Sequence, residues 1–262
     1  MFPKKVEIIP IRMPLVEAGV DVAQQIVRSV IEAGTKLEDG DIVAVADKIL
    51  ATAEGRTINY TKVEASQKAR ELAREFNLEP GFVELVLREA EHVYGGVQRA
   101  LLTLKHGVLV ANAGIDHKNA PVNHACLWPE NPHAAAKALK DSLQRLTGKR
   151  LGVLLVDSHV TPLRMGTTGF ALGLAGFEPV KDCRGALDLY GKPLLITRMN
   201  IADDLASAAH LVMGETDERV PVAILRGAPV EVVDEGDPKS LYIPVSEDLY
   251  MTVFRSREKS TI

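Results

Sequence analysis

The chain is short of most features that announce a function. It has two cysteines in 262 residues, Cys126 and Cys183, far apart. They make neither a disulfide framework nor a zinc-type spacing, and they point to a reducing compartment. No apolar run nears the roughly 18 residues that span a bilayer. The first residues, Met1-Phe2-Pro3-Lys4-Lys5, lack a signal-type apolar core. A cytoplasmic protein without membrane contact is therefore expected. Excess charge is missing too: 31 Lys and Arg stand against 35 Asp and Glu, a formal charge of −4. The basic residues are scattered rather than striped, which argues against a nucleic-acid surface. There is no Gly-x-Ser-x-Gly elbow, no Walker loop and no Gly-x-Gly-x-x-Gly fingerprint, so a nucleotide enzyme built from this chain uses another scaffold. No His-x-x-x-His pair is present, and His117, His124 and His159 read as turn or solvent-facing residues. What remains is ordinary: 46% apolar and 25% charged residues, in a length that suits one large domain or two intimate ones.

The most informative stretch is Gly152-Val153-Leu154-Leu155-Val156-Asp157-Ser158-His159. A short apolar run after Thr147-Gly148-Lys149 reads as a strand buried on both faces. The last side chains of such a strand can project into a cleft. Asp157 and Ser158 would then offer the hard oxygen ligands that Mg²⁺ or Mn²⁺ prefers, unless Asp157 only caps the next turn.

Elsewhere, residues 6–9 read as a strand closed by Pro10, and residues 20–33 carry a helical apolar stripe ending at Gly34. Residues 41–46 form a buried-type strand delivering Asp47 and Lys48. Residues 62–76 read as a polar helix, and residues 81–93 as a second helix ending near Gly95-Gly96. A strand over 107–111 breaks into Asn112-Ala113-Gly114-Ile115-Asp116, and residues 134–146 are an amphipathic helix. Residues 166–176 hold too many glycines to be assigned a helix. Strands are expected over 194–197 and 220–225, with an alanine-rich helix over 202–213 between them. The irregular alternation predicts an α+β fold with mixed sheets and flanking helices. The whole chain, residues 1–262, reads as one domain of two intimate subdomains, with a weak boundary near 60–100. Asp116, Asp157 and Glu215 each follow a regular element, where turns can aim side chains into a common site. Three carboxylates converging without cations would repel one another, so either they lie far apart or they share a metal.

Taken together these pieces resemble the F420-0:γ-glutamyl ligase family. The carriers are Leu37-Glu38-Asp39-Gly40-Asp41 with Asp47-Lys48-Ile49, then Ala53-Glu54-Gly55-Arg56. The most specific is Ala111-Asn112-Ala113-Gly114-Ile115-Asp116 through Asn119. Asp157-Ser158, Arg164-Met165-Gly166, Ala171-Leu172-Gly173-Leu174-Ala175-Gly176 and Asp188-Leu189-Tyr190-Gly191 follow. Ile201-Ala202-Asp203-Asp204-Leu205-Ala206, Met213-Gly214-Glu215 and Leu225-Arg226-Gly227 complete the order. The resemblance implies a GTP-dependent ligase joining the carboxylate of F420-0 to the amine of L-glutamate through an acyl phosphate. It also implies an intertwined homodimer, two Mg²⁺ or Mn²⁺ ions, and K⁺ as an activator. By position, Asp116 and Asp157 would carry the catalysis and hold one metal, and Ser158 and Glu215 a second. Arg12, Met13, Pro14, Leu15, Asp47, Lys48, Asn119, Met213, Gly214, Thr216 and Asp217 would contact the nucleotide.

Two departures stand out. Ala51-Thr52 replaces the family's Ser-Lys pair, and Val160-Thr161-Pro162-Leu163 replaces its Gly-Arg-Pro-aromatic segment, although Arg164 remains. Both remove a positive charge from a site for polyphosphate. The alternatives they open are a ligase for a different acid or amine, or a non-catalytic nucleotide- or metal-binding relative.

Overall fold

The computed structural model describes residues 5–251. In chain order they form β1 (Glu7–Ile11), α1 (Val22–Glu32), β2 (Ile42–Ala46), α2 (Asp47–Ala53), β3 (Thr57–Asn59), α3 (Gln67–Phe76) and α4 (Pro80–Glu89). Next come β4 (His92–Val97), β5 (Ala100–Lys105), β6 (Val108–Ala111), β7 (His124–Cys126), α5 (Pro132–Thr147), β8 (Gly152–Val160) and β9 (Thr167–Ala175). The chain continues through β10 (Val180–Asp182), β11 (Arg198–Asn200), α6 (Ile201–Met213) and β12 (Val222–Arg226). The fold is mixed α+β with one larger sheet and several small ones.

The larger sheet has the order β1-β12-β2-β8-β9. Only β2 and β8 run parallel in it. Where they pair, over Ile42–Ala46 and Gly152–Val156, both carry only small or apolar residues because both faces are covered. Val43, Val45, Val153 and Leu155 point into a cluster with α1 and α5. Ile42, Ala44, Leu154 and Val156 point into another with α6. Residues of α3, α4, β5 and β7 pack round a third cluster that includes Phe82, Val86, Leu101 and Leu127. The sheet β4-β5-β6 and the β3-β7 pair lie in this stretch of chain.

Several boundaries differ from the sequence reading. Pro10 sits inside β1 rather than closing it; β1 is an edge strand, where a missing backbone donor is tolerated. The helix expected over 62–76 starts only at Gln67, because the Ser66 hydroxyl caps it by accepting from the Ala69 N–H at 3.2 Å. The helix expected over 81–93 ends at Glu89, and Val93, Gly95 and Gly96 belong to β4. Gly95 takes φ 120° at a register shift in that strand, a conformation open to glycine. The strand expected over 194–197 lies instead at Arg198–Asn200.

The glycine-rich segment is the strand β9. A Cβ on Gly169 would meet the Ala206 carbonyl oxygen at 2.5 Å, and one on Gly173 the Pro132 carbonyl oxygen at 2.6 Å. The small residues thus let α6 and α5 close directly on the backbone of β9 within one chain. No helix among the described residues is long and apolar enough to cross a membrane.

Candidate active site

The register of the one parallel pair builds the site. Ala46 of β2 is paired with Val156 of β8, so Asp47 and Asp157 are neighbours at the carboxyl-terminal end of β2, where open α/β sheets place ligands. Asp157 does not end its strand, since β8 runs on to Val160 with Asp157 opposite Phe170 of β9. Residues after β1 and before β12 reach the same end. The Met13 N–H donates to the Arg219 carbonyl at 3.1 Å, and the Ala46 N–H to the Pro221 carbonyl at 2.8 Å. Between these segments lies a cleft of about 440 Å³.

Lys48, in the first turn of α2, carries the central charge. Its Nζ lies 3.1 Å from Asp116 Oδ2 and 3.9 Å from Asp157 Oδ1. Burial works against its charge, but Asp157, Asp47 and Asp116 outweigh burial and hold the ammonium protonated far above the ordinary lysine range. Asp116 feels the converse. Burial pushes its carboxyl up, yet Lys48 and Lys118 with the Lys118 backbone N–H bring it below the usual value. Asp47 is 3% exposed. Burial and the charge of Asp157 push its carboxyl well above the usual range.

A second charged group lines the same cleft. Lys118 Nζ lies 2.7 Å from Glu215 Oε2 and 3.8 Å from Asp116 Oδ2. Glu215 also accepts from the Thr167 hydroxyl at 2.7 Å and lies 2.8 Å from His210 Nε2. Burial raises the Glu215 carboxyl, but hydrogen bonds from Lys118, Thr167, His210 and Ser158 hold it far below the usual range. The loop carrying Glu215 is shaped by Gly214 (φ 73°), over which the Glu218 carboxylate folds to accept from the Thr216 N–H at 2.8 Å. Asn119 ties the two loops together: its Nδ2 donates to the Thr216 carbonyl at 3.0 Å.

Of the residues singled out in the sequence, the cleft walls hold Met13, Pro14, Leu15, Asp47, Lys48, Asn119, Asp157, Ser158, Met213, Gly214, Glu215, Thr216 and Asp217. Asp116 stands just behind, paired with both lysines. Arg12 is exposed and outside the walls. Thr52 lines the cleft; Thr161 does not. Lys118, Thr167 and His210 also meet at the site, and no local sequence pattern points to them. His210 lies five residues before Glu215 in the last turn of α6. Among the described residues, no three His, Cys, Asp or Glu side chains are grouped to hold a metal as they stand. The positive charge between Asp116 and Asp157 is instead the Lys48 ammonium, and that beside Glu215 is Lys118.

The pattern that defines the F420-0:Gamma-glutamyl ligase family matches residues 10–227. The chain belongs to that family. Among its relatives, the coenzyme F420:L-glutamate ligase of Methanothermobacter thermautotrophicus is 38% identical over 240 residues, covering 91% of this chain and 95% of its own length. The protein of that name from Methanocaldococcus jannaschii is 37% identical over 248 residues, 94% and 97% of the two chains. That of Archaeoglobus fulgidus is 34% identical over 246 residues, 94% and 96%. In this chain the candidate donors are of the type that a hard divalent cation takes. Asp116, Asp157, Ser158 and Glu215 offer oxygen alone, and their carboxylates are already gathered around positive charge.

Proposed function

We propose that the protein joins the terminal carboxylate of F420-0 to the amine of L-glutamate with consumption of GTP. The observation that carries this reading is the convergence of Lys48, Asp116, Asp157 and Glu215 on one cleft, in a chain of this family. A carboxylate is a poor acyl donor because oxide would have to leave. Attack of a carboxylate oxygen on the γ-phosphorus of GTP forms an acyl phosphate and releases GDP. The glutamate amine then attacks the acyl carbon, an amide forms and phosphate departs.

In this reading Lys48 presents its ammonium to a phosphate oxygen. Asp116 and Asp157 hold one Mg²⁺ or Mn²⁺, and Ser158 and Glu215 a second. When bound, these ions screen the charge of the triphosphate. Met13, Pro14 and Leu15, with Met213, Gly214, Thr216 and Asp217, wall the nucleotide, Asn119 fixes the two loops against each other, and Asp47 supports Lys48. K⁺ is an additional activator, and the reaction proceeds in the cytoplasm.

The family resemblance also supports a homodimer. Leu187, Leu189, Tyr190, Leu195 and Ile196 are all at least two-thirds exposed on the excursion between β10 and β11, an apolar surface of the kind that partners cover.

A second reading is favoured by Thr52. The cleft wall carries a neutral hydroxyl where a family lysine is expected, so a relative that binds nucleotide and metal without turnover, or that uses another acid, is the alternative. Incubation of the protein with GTP, Mn²⁺, F420-0 and L-glutamate separates the readings. A mass gain of one glutamyl unit is expected; nucleotide binding without any product would overturn the ligase reading.

A further inference from the structure

The chain has a single tryptophan, Trp128, and it is fully buried. A buried indole N–H needs an acceptor, since an unpaired desolvated donor is costly. Its acceptor is Asp157: Nε1 donates to Oδ2 at 2.7 Å. The other oxygen, Oδ1, accepts the Ser158 backbone N–H at 2.8 Å and faces the Lys48 ammonium. One edge of the carboxylate is therefore tied to the indole, and the other is turned towards Lys48 and the cleft.

The ring is itself held in place. It packs with Val110, Phe170 and Leu172 in a small cluster. Gly114 makes room for it, since a Cβ there would fall 2.0 Å from the indole Cε2. This gives the glycine two residues before Asp116 a packing reason. The Lys105 ammonium lies 5.1 Å from the ring centroid, and Arg56 Nε donates to the Trp128 carbonyl. Glu89 joins both cations, meeting Arg56 Nη2 at 3.0 Å and Lys105 Nζ at 2.6 Å. Lys105 is 3% exposed, so its charge depends on that partner. A network rooted in α4 and β5 thus ends on a cleft carboxylate.

We propose that Trp128 is a positioning residue for Asp157, fixing the direction in which its other oxygen, Oδ1, presents its remaining lone pair to a cation. The kinetic consequence rests on the ligase reading; the structural one does not. A hydrogen bond to a ligating carboxylate restricts its rotation, and losing such an outer partner typically weakens metal binding about 10–100-fold. The remaining partners do not replace it: the Ser158 N–H holds only Oδ1, and the Lys48 ammonium at 3.9 Å attracts the carboxylate without setting its orientation.

The test replaces the one tryptophan biosynthetically by β-(3-benzothienyl)alanine, which keeps the ring shape and removes the N–H; Trp128→Phe is the genetic counterpart. Mn²⁺ affinity of the full chain, read from the free-ion electron paramagnetic resonance signal, is expected to fall about tenfold in the isosteric protein. Its melting temperature should stay within a few degrees of wild type. Glutamyl transfer should lose kcat with little change in KM for glutamate. In the untreated protein the single indole N–H resonance should move when Asp157→Ala removes its acceptor.

Equal Mn²⁺ affinity, an affinity loss that only accompanies lost thermal stability, an unmoved indole resonance, or no Mn²⁺ binding by wild type would each overturn the proposal. Absence of glutamyl product from wild type would instead sink the ligase reading, and the Mn²⁺ and resonance measurements would still decide the role of Trp128.

Discussion

Lys118 and Glu215, 97 residues apart in the chain, meet through an ammonium–carboxylate contact of 2.7 Å at the mouth of the cleft. The carboxyl of Glu215 is held far below its ordinary range by this and three further hydrogen bonds. A depressed carboxylate contributes stability that is present above its unfolded pKa of about 4.3 and is lost as pH falls towards the folded value. Glu215→Gln should therefore lower the melting temperature at pH 7. The gap to wild type should close as the pH drops from about 4 downwards. A gap of constant size from pH 7 to pH 2 would show that the contact adds nothing through its charge.

Asp116→Asn and Asp157→Asn keep shape and each remove one negative charge beside Lys48. Both should weaken Mn²⁺ binding and reduce glutamyl transfer by orders of magnitude, because a bound ion supplies several kcal/mol of charge stabilisation. Part of the activity should return at high Mn²⁺ by mass action. If Asp157 served only as a structural acceptor inside β8, its replacement would cost about 1 kcal/mol of stability and leave metal dependence alone. Titration of Mn²⁺ against the three proteins, with thermal unfolding alongside, distinguishes these patterns.

Thr52 lines the cleft, and Thr161 lies outside it at the β8–β9 turn. Thr52→Lys should place an ammonium where a polyphosphate is expected and tighten GTP about tenfold, the equivalent of about 1.4 kcal/mol. Thr161→Arg should leave GTP affinity unchanged. Calorimetry on both variants tests the contrast, and an equal effect from the two would contradict the cleft geometry.

Leu189 and Ile196 are strongly exposed on the β10–β11 excursion. If that surface joins two copies, sedimentation should give a dimer at micromolar concentration, burying well over ~1,000 Å². Leu189→Glu combined with Ile196→Glu should shift it towards monomer. A wild-type monomer, or a dimer indifferent to both charges, would remove this surface from consideration.

The parts of the site legible in the sequence are those carried by β2 and β8. Continuous apolar runs such as Ile42-Val43-Ala44-Val45 and Val153-Leu154-Leu155-Val156 have few other readings, and each ends on its functional acid. The strand β9 was hidden because its glycines answer to helices far along the chain, Pro132 in α5 and Ala206 in α6. Val93 fitted a helical stripe equally well until its partner Thr103 in β5 was known. Lys118 and His210 went unnoticed for the same reason. Their meaning lies in Glu215, and no local pattern states which distant carboxylate a lysine or histidine will find.

The cleft is assembled from two kinds of backbone. Asp47, Lys48, Asp157 and Ser158 sit on α2 and β8, tied into the central sheet. Lys118, Asn119, Glu215 and Thr216 sit on loops joined to each other by Asn119 and to the rest by a few polar contacts. Loops with few apolar contacts open at lower free energy than core strands. Amide protons near Thr216 should therefore exchange with solvent long before those of Leu154 and Leu155. On that ordering the loop half of the cleft opens at lower free energy than the sheet half, and its opening needs no global unfolding.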